Sequence, residues 1–177
     1  MLKMFSTQLS GLFKRLHEKE EEAIEDSARI LAQALSGEGK IFICATNEMK
    51  AVVAEALYSA EPLQGAEEWT SSHSLENISP NDRFLFFSRT SDDEELLPFA
   101  EKLTKEYIPF VSVSTIMSSD SHGIHTKADV HIDLKLTKGL LPDDEGNRFG
   151  YPASIAAIFV YYGIKFTLDE FIKEYEL

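Results

Sequence analysis

Apolar positions along this chain switch between helical and strand periods. Phe5, Leu9, Leu12, Phe13 and Leu16 recur at the spacing of one helical face, and Ile24, Ala28, Leu31, Ala32 and Leu35 form a second stripe beyond the solvated run Glu-Lys-Glu-Glu-Glu. Met4 to Leu35 therefore predicts one long helix or two consecutive ones, closed by Ser36-Gly37-Glu38-Gly39. Ile41–Cys44 is a short apolar run, the first expected strand. Ala45-Thr46-Asn47 turns the chain into a helix expected over Glu48 to Ala60. Phe84–Phe87 is a second apolar run that stops abruptly at Ser88, Arg89, Thr90 and Ser91, followed by acidic residues and an amphipathic stretch. A third run, Ile108–Val113, ends in Ser114 and Thr115, and a further strand is expected at Asp129–Leu134. Pro152 to Tyr162 and Thr167 to Tyr175 predict two closing helices. Between these elements, Glu61 to Pro80 offers a short strand near Trp69, and Lys138 to Gly150 reads as a mobile loop.

Strands that alternate with helices in this way predict an α/β fold: a doubly wound, mostly parallel sheet flanked by helices, with a long N-terminal helix. One domain is expected over residues 1–177. It divides into an N-terminal helical segment (1–36), an α/β core (40–162) and a C-terminal helix (163–177). In such sheets ligands bind outside the carboxyl ends of the strands, where helix N-termini present unpaired N–H groups to anions. That edge collects Thr46 and Asn47 after the first strand, Ser88, Thr90 and Ser91 after the run at Phe84–Phe87, and Ser114 and Thr115 after the next. The pattern points to a site for a phosphorylated small molecule.

Composition narrows the partners. Acidic residues outnumber basic ones 30 to 17, a formal charge of −13. Nucleic-acid binding draws most of its affinity from Lys and Arg neutralising phosphates, so nucleic acid is not an expected partner, and anionic membrane is disfavoured on the same ground. No apolar run reaches the length of a membrane span, and the N-terminus lacks the uninterrupted apolar stretch of a signal peptide. The single cysteine, Cys44, permits no internal disulfide, which fits a reducing, cytoplasmic compartment.

The order of these residues resembles the sugar isomerase (SIS) domain family. Ser36-Gly37-Glu38-Gly39 followed by Lys40 to Leu57 is similar to that family's first strand, ligand loop and second helix. Ser88 to Glu95 (S-R-T-S-D-D-E-E) stands where the family carries S-x-S-G-x-T-x-E, and V-S-V-S-T with the later K-A-D-V-H-I-D-L resembles its third and fourth strands. The resemblance covers about Ser27 to Tyr162, and the phosphoheptose isomerase-like branch and an uncharacterised bacterial group of compact SIS-like proteins are the nearest in layout. It implies a phosphosugar-binding α/β domain that pairs into homodimers, needs no cofactor, and in its catalytic members interconverts aldose and ketose phosphates. The first ligand loop departs from the family's G-x-G-x-S with Ala45, Asn47 and Met49 in those places. In the second, Ser91 replaces a glycine and Asp93 a threonine, so a carboxylate stands where a hydroxyl would meet phosphate.

An isomerase needs a base that moves a proton between adjacent carbons. Glu48 and Glu55 lie on the helix after the first loop, where related isomerases place a catalytic glutamate, and they are the candidates. The closing helix holds no histidine, although the phosphoheptose isomerase-like branch places one there. His122-x-x-His125 lacks a third ligand, so no metal site is expected. Asp129, His131 and Asp133 alternate onto one strand face, the pattern of a solvated outer strand. A non-catalytic sensor of sugar phosphates and a purely structural assembly domain are the competing readings.

Overall fold

The structure is a computed structural model and describes residues 1–118 and 122–175. Five strands, β1 (Ile41–Ala45), β2 (Ala66–Glu68), β3 (Arg83–Thr90), β4 (Phe110–Thr115) and β5 (Val130–Asp133), form one sheet in the order β2-β1-β3-β4-β5. Every pairing in it is parallel. Four helices accompany it: α1 (Leu2–Ser36), α2 (Lys50–Tyr58), α3 (Leu96–Lys105) and α4 (Ala153–Tyr175).

The central strands are buried on both faces, so they read as continuous apolar runs. Their alternate residues feed two separate cores. Ile41, Ile43, Leu85, Phe87, Val111 and Val113 point into a large aliphatic core built with α1, α2 and α4. Phe42, Phe84, Phe86 and Phe110 point the other way, into a smaller core with α3. The second side is closed by aromatic rings as much as by helix. Trp69 and Phe99 stack on each other at 5.2 Å and reach Phe84 edge-on. A fully buried phenylalanine contributes about 1.5–3 kcal/mol, so these rings stand in for a missing second helix.

Three expectations need correction. The two closing helices are one, α4. Gly163 lies in its middle rather than at a break, because a Cβ there would come within 3.3 Å of Ile24 on α1. The 138–150 segment is not a shapeless loop. Leu141–Pro142 (β6) and Arg148–Phe149 (β7) pair antiparallel across a turn in which Asp143 accepts the N–H groups of Glu145 and Asn147, and Gly146 takes φ +85°. The face of β5 that carries Asp129, His131 and Asp133 is not simply solvated: Asp133 is buried, and one ring nitrogen of His131 is sealed from solvent. The N-terminal stripes form one helix, held to α4 by contacts such as the stacked Phe13 and Phe159 rings at 4.3 Å.

Candidate functional site

The strand order reverses between β1 and β3, and in a sheet of order 2-1-3-4-5 the crevice at that reversal is where ligands sit. Two loops flank it. After β1 the chain enters a single 3-10 turn, Asn47–Met49, before α2. Asn47 supplies φ +50° there, a left-handed conformation that asparagine tolerates where a glycine would otherwise be needed. Met49, at a place where the resembling family carries serine, is fully buried in the aliphatic core. That position therefore offers packing and no hydroxyl.

The loop after β3 bulges out of register between Phe87 and Thr90. Two contacts, each with a carboxylate, tie it across the crevice to the first loop. The Thr46 hydroxyl donates to Asp93 Oδ2 at 2.8 Å, while Asp93 Oδ1 accepts the N–H groups of Glu95 (3.1 Å) and Leu96 (2.9 Å) at the start of α3. The protein's own carboxylate thus occupies the donors that would meet an anion at this helix N-terminus. Next to it, Arg89 Nε and Nη2 donate to the two oxygens of Glu48 at 2.6 and 2.7 Å, a fork-to-fork pair. The hydrogen bond from Arg89 holds Glu48 below the usual carboxylate range and raises the Arg89 guanidinium in turn.

The remaining predicted hydroxyls are brought to the same edge, and most are already engaged. Ser88 is buried and donates to the Thr90 carbonyl at 2.8 Å. Ser91 is buried beside His125: its Oγ accepts the His125 N–H at 3.0 Å and lies 2.5 Å from His125 Nδ1. Gly123 makes this approach possible, since a Cβ there would fall 2.6 Å from Ser91 Oγ. Thr115 Oγ1 accepts the Leu136 N–H at 3.3 Å. Ser114 is the exception. It is fully buried, and its hydroxyl has no hydrogen-bond partner among the described residues.

Glu55, the other candidate base, sits two helical turns beyond Glu48 and accepts a hydrogen bond from the Tyr162 hydroxyl at 2.5 Å. It is committed to the α2–α4 packing. Sequence reasoning does not nominate Arg89 and His125 at this edge, nor Ser112 and His131, which pair inward of it on β4 and β5. His131 Nδ1 lies 2.7 Å from Ser112 Oγ on the neighbouring strand, and its ring centroid is 5.8 Å from that of His125. Burial lowers its pKa to about 4, so it is a neutral imidazole at pH 7. The alternation along β5 is the available signal, and it misleads because an edge strand commonly faces water.

Comparison with known proteins is consistent with this frame. The five-stranded parallel sheet and long first helix superpose on proteins of the SIS fold. The Vibrio vulnificus NanR protein, solved in complex with ManNAc-6P, matches 99% of this chain and 64% of its own at a TM-score of 0.69 and 18% identity. An Escherichia coli CFT073 protein, also solved in complex with a ligand, matches 97% of this chain and 89% of its own, at 0.65 and 14%. The sugar isomerase domain of an RpiR transcription factor from Sphaerobacter thermophilus matches 98% and 89%, at 0.63 and 15%. These likenesses define an SIS-like fold. By sequence the chain belongs to the family described as Domain of unknown function (DUF2529), which it matches over residues 1–172. It is 39% identical over 175 residues to YwjG of Bacillus subtilis, an uncharacterized protein, with 99% of each chain covered.

Proposed function

We propose that this protein is a sugar-phosphate-binding module of SIS-like fold that holds its ligand at the β1/β3 crevice without isomerising it. The commitment of both candidate bases carries the choice: Glu48 is forked onto Arg89 and Glu55 is bonded to Tyr162, so the edge offers hydroxyls, amides and one guanidinium, with neither carboxylate free to move a proton. Arg89 is the phosphate anchor in this reading, because Asp93 already fills the α3 N-terminus. The Nε–Nη2 edge of the guanidinium stays on Glu48, and the phosphate meets its Nη1 side, so Glu48 remains paired when the ligand is held. The neighbour solved with ManNAc-6P supports a sugar phosphate, and the neighbour that is a domain of a transcription factor supports a sensing role. The protein works as a cytoplasmic homodimer in this proposal.

The test is calorimetric titration of the full chain with aldose and ketose phosphates, paired with a proton-exchange assay in D2O by NMR. Binding that Arg89→Ala weakens at least about tenfold, the loss of a charge-assisted anchor, is expected, with no deuterium entering the sugar next to its carbonyl. Deuterium incorporation would overturn the non-catalytic reading, and absence of binding would overturn the ligand class.

A further inference from the structure

We infer that a groove at the amino ends of β3 and β4 is a second binding site, that it takes a nucleoside monophosphate, and that Tyr107 is the platform for the base. It lies at the edge of the sheet opposite the crevice, so it goes beyond the sugar-phosphate reading and stands independently of it. The α3 face of the sheet carries one helix, and the segment 69–82 covers the place of another. Between that segment and the turn from α3 into β4 a groove of about 530 Å³ remains. Small-molecule sites span about 300–1,000 Å³. The apolar side of the groove is Leu75, Ile78, Pro80, Ile108 and Pro109.

Tyr107 is the residue that calls for a ligand. It closes α3 in the left-handed conformation, φ +56°, with its N–H on the Thr104 carbonyl at 3.2 Å and the Ile108 N–H on the Leu103 carbonyl at 3.0 Å. Glycine takes that position without strain, and a bulky side chain does not. The ring returns little packing, since Tyr107 is 93% exposed and lines the groove from its open side. A strained residue whose side chain stands in water beside a groove points to function rather than to stability. The other walls name the ligand. Lys102 and Lys105 stand one turn apart on α3, line the same groove, and form no ion pair among the described residues. Two ammonium groups suit a phosphate, which the overall charge of −13 otherwise repels. Glu76 and Glu106 also line the groove, and a carboxylate there suits the hydroxyls of a ribose rather than a second anion. An exposed phenol ring stacks on a planar base. A nucleoside monophosphate joins base, diol and phosphate in one molecule, so it gives each of these walls a partner.

The test is calorimetric titration of the full chain with AMP, adenosine and inorganic phosphate, alongside melting temperatures without ligand. The parent is expected to bind AMP more tightly than either fragment. Tyr107→Gly should weaken AMP and adenosine alike by about 5–150-fold, the range for one base stacked on an aromatic ring. It should melt no lower than the parent, because glycine occupies the left-handed position freely. Lys102→Ala combined with Lys105→Ala should weaken AMP at least about tenfold and leave adenosine unchanged. Arg89→Ala, which removes the proposed anchor of the crevice, should leave AMP binding as it is, so the two sites fail separately. AMP that does not bind the parent, or that binds Tyr107→Gly as tightly, overturns the inference. A lower melting temperature for Tyr107→Gly would give the ring a packing role and also overturn it. Loss of AMP binding in Arg89→Ala would seat the nucleotide in the crevice, with the same consequence.

Discussion

Asp93 shows how one residue can reset a binding edge. In the resembling family its place holds a hydroxyl, a donor to phosphate oxygens. Here a carboxylate caps α3 and takes the Thr46 hydroxyl, so the anion seat at the α3 N-terminus is filled from within. Asp93→Asn keeps an oxygen for the two N–H groups and removes the charge. It should raise affinity for a sugar phosphate by roughly tenfold, the scale of one like charge removed at a few ångströms in a partly solvated site. The same change weakens the favourable meeting of charge and helix dipole, so the unliganded protein should lose about 0.3–1 kcal/mol. Calorimetry and chemical denaturation read the two effects, and an unaltered affinity would mean that ligand does not approach α3 at all.

At the scale of elements, β5 carries a pH signature. Burial holds the His131 pKa at about 4, against an ordinary value of 6.5. Between those values the unfolded chain binds the proton and the folded one does not, so stability rises with pH through this window. The contribution is complete above pH 6.5 and fades as the pH falls towards 4, by on the order of 3 kcal/mol at 1.4 kcal/mol per pH unit. Urea midpoints followed from pH 7.5 to 4 should fall more steeply for the parent than for His131→Asn; parallel curves would show that His131 titrates normally. The element also shows what the sequence made legible. Strands buried on both faces announce themselves as apolar runs, and the hydroxyls that end β1, β3 and β4 do share an edge, as their position predicts. Side-chain partners across 30 or more residues are another matter. Ser91 with His125, Asp93 with Thr46 and Arg89 with Glu48 depend on how far each loop tilts, which no local period encodes. The gap expected between the two closing helices closes for a related reason: α4 runs on through Gly163, which packs against Ile24 of α1, a contact that no local period encodes.

At the scale of the whole molecule, an apolar groove stands without a partner among the described residues. A groove of about 520 Å³ runs between α1 and α4, lined by Ile24, Phe159, Tyr162, Phe166 and Phe171, and Phe166 is 56% exposed within it. Glu21, Glu25 and Glu170 border the same groove. If the proposed homodimer forms here, a two-fold axis sets the same patch on both partners, so apolar residues meet apolar ones and acidic borders face acidic borders. The attraction is then hydrophobic and insensitive to screening, while the repulsion between the rims of two chains of charge −13 is not. Raising the ionic strength from about 0.02 to about 0.3 M shortens the screening length to under 10 Å, which quiets the rims and leaves the apolar contact intact. Dimerisation should therefore strengthen with salt, the opposite of an interface built from ion pairs, and Phe166→Glu should abolish it by burying an unpaired charge. Light scattering coupled to size exclusion at the two salt concentrations distinguishes the cases. A dimer that weakens with salt, or one that survives Phe166→Glu, would place the pairing surface elsewhere on the molecule.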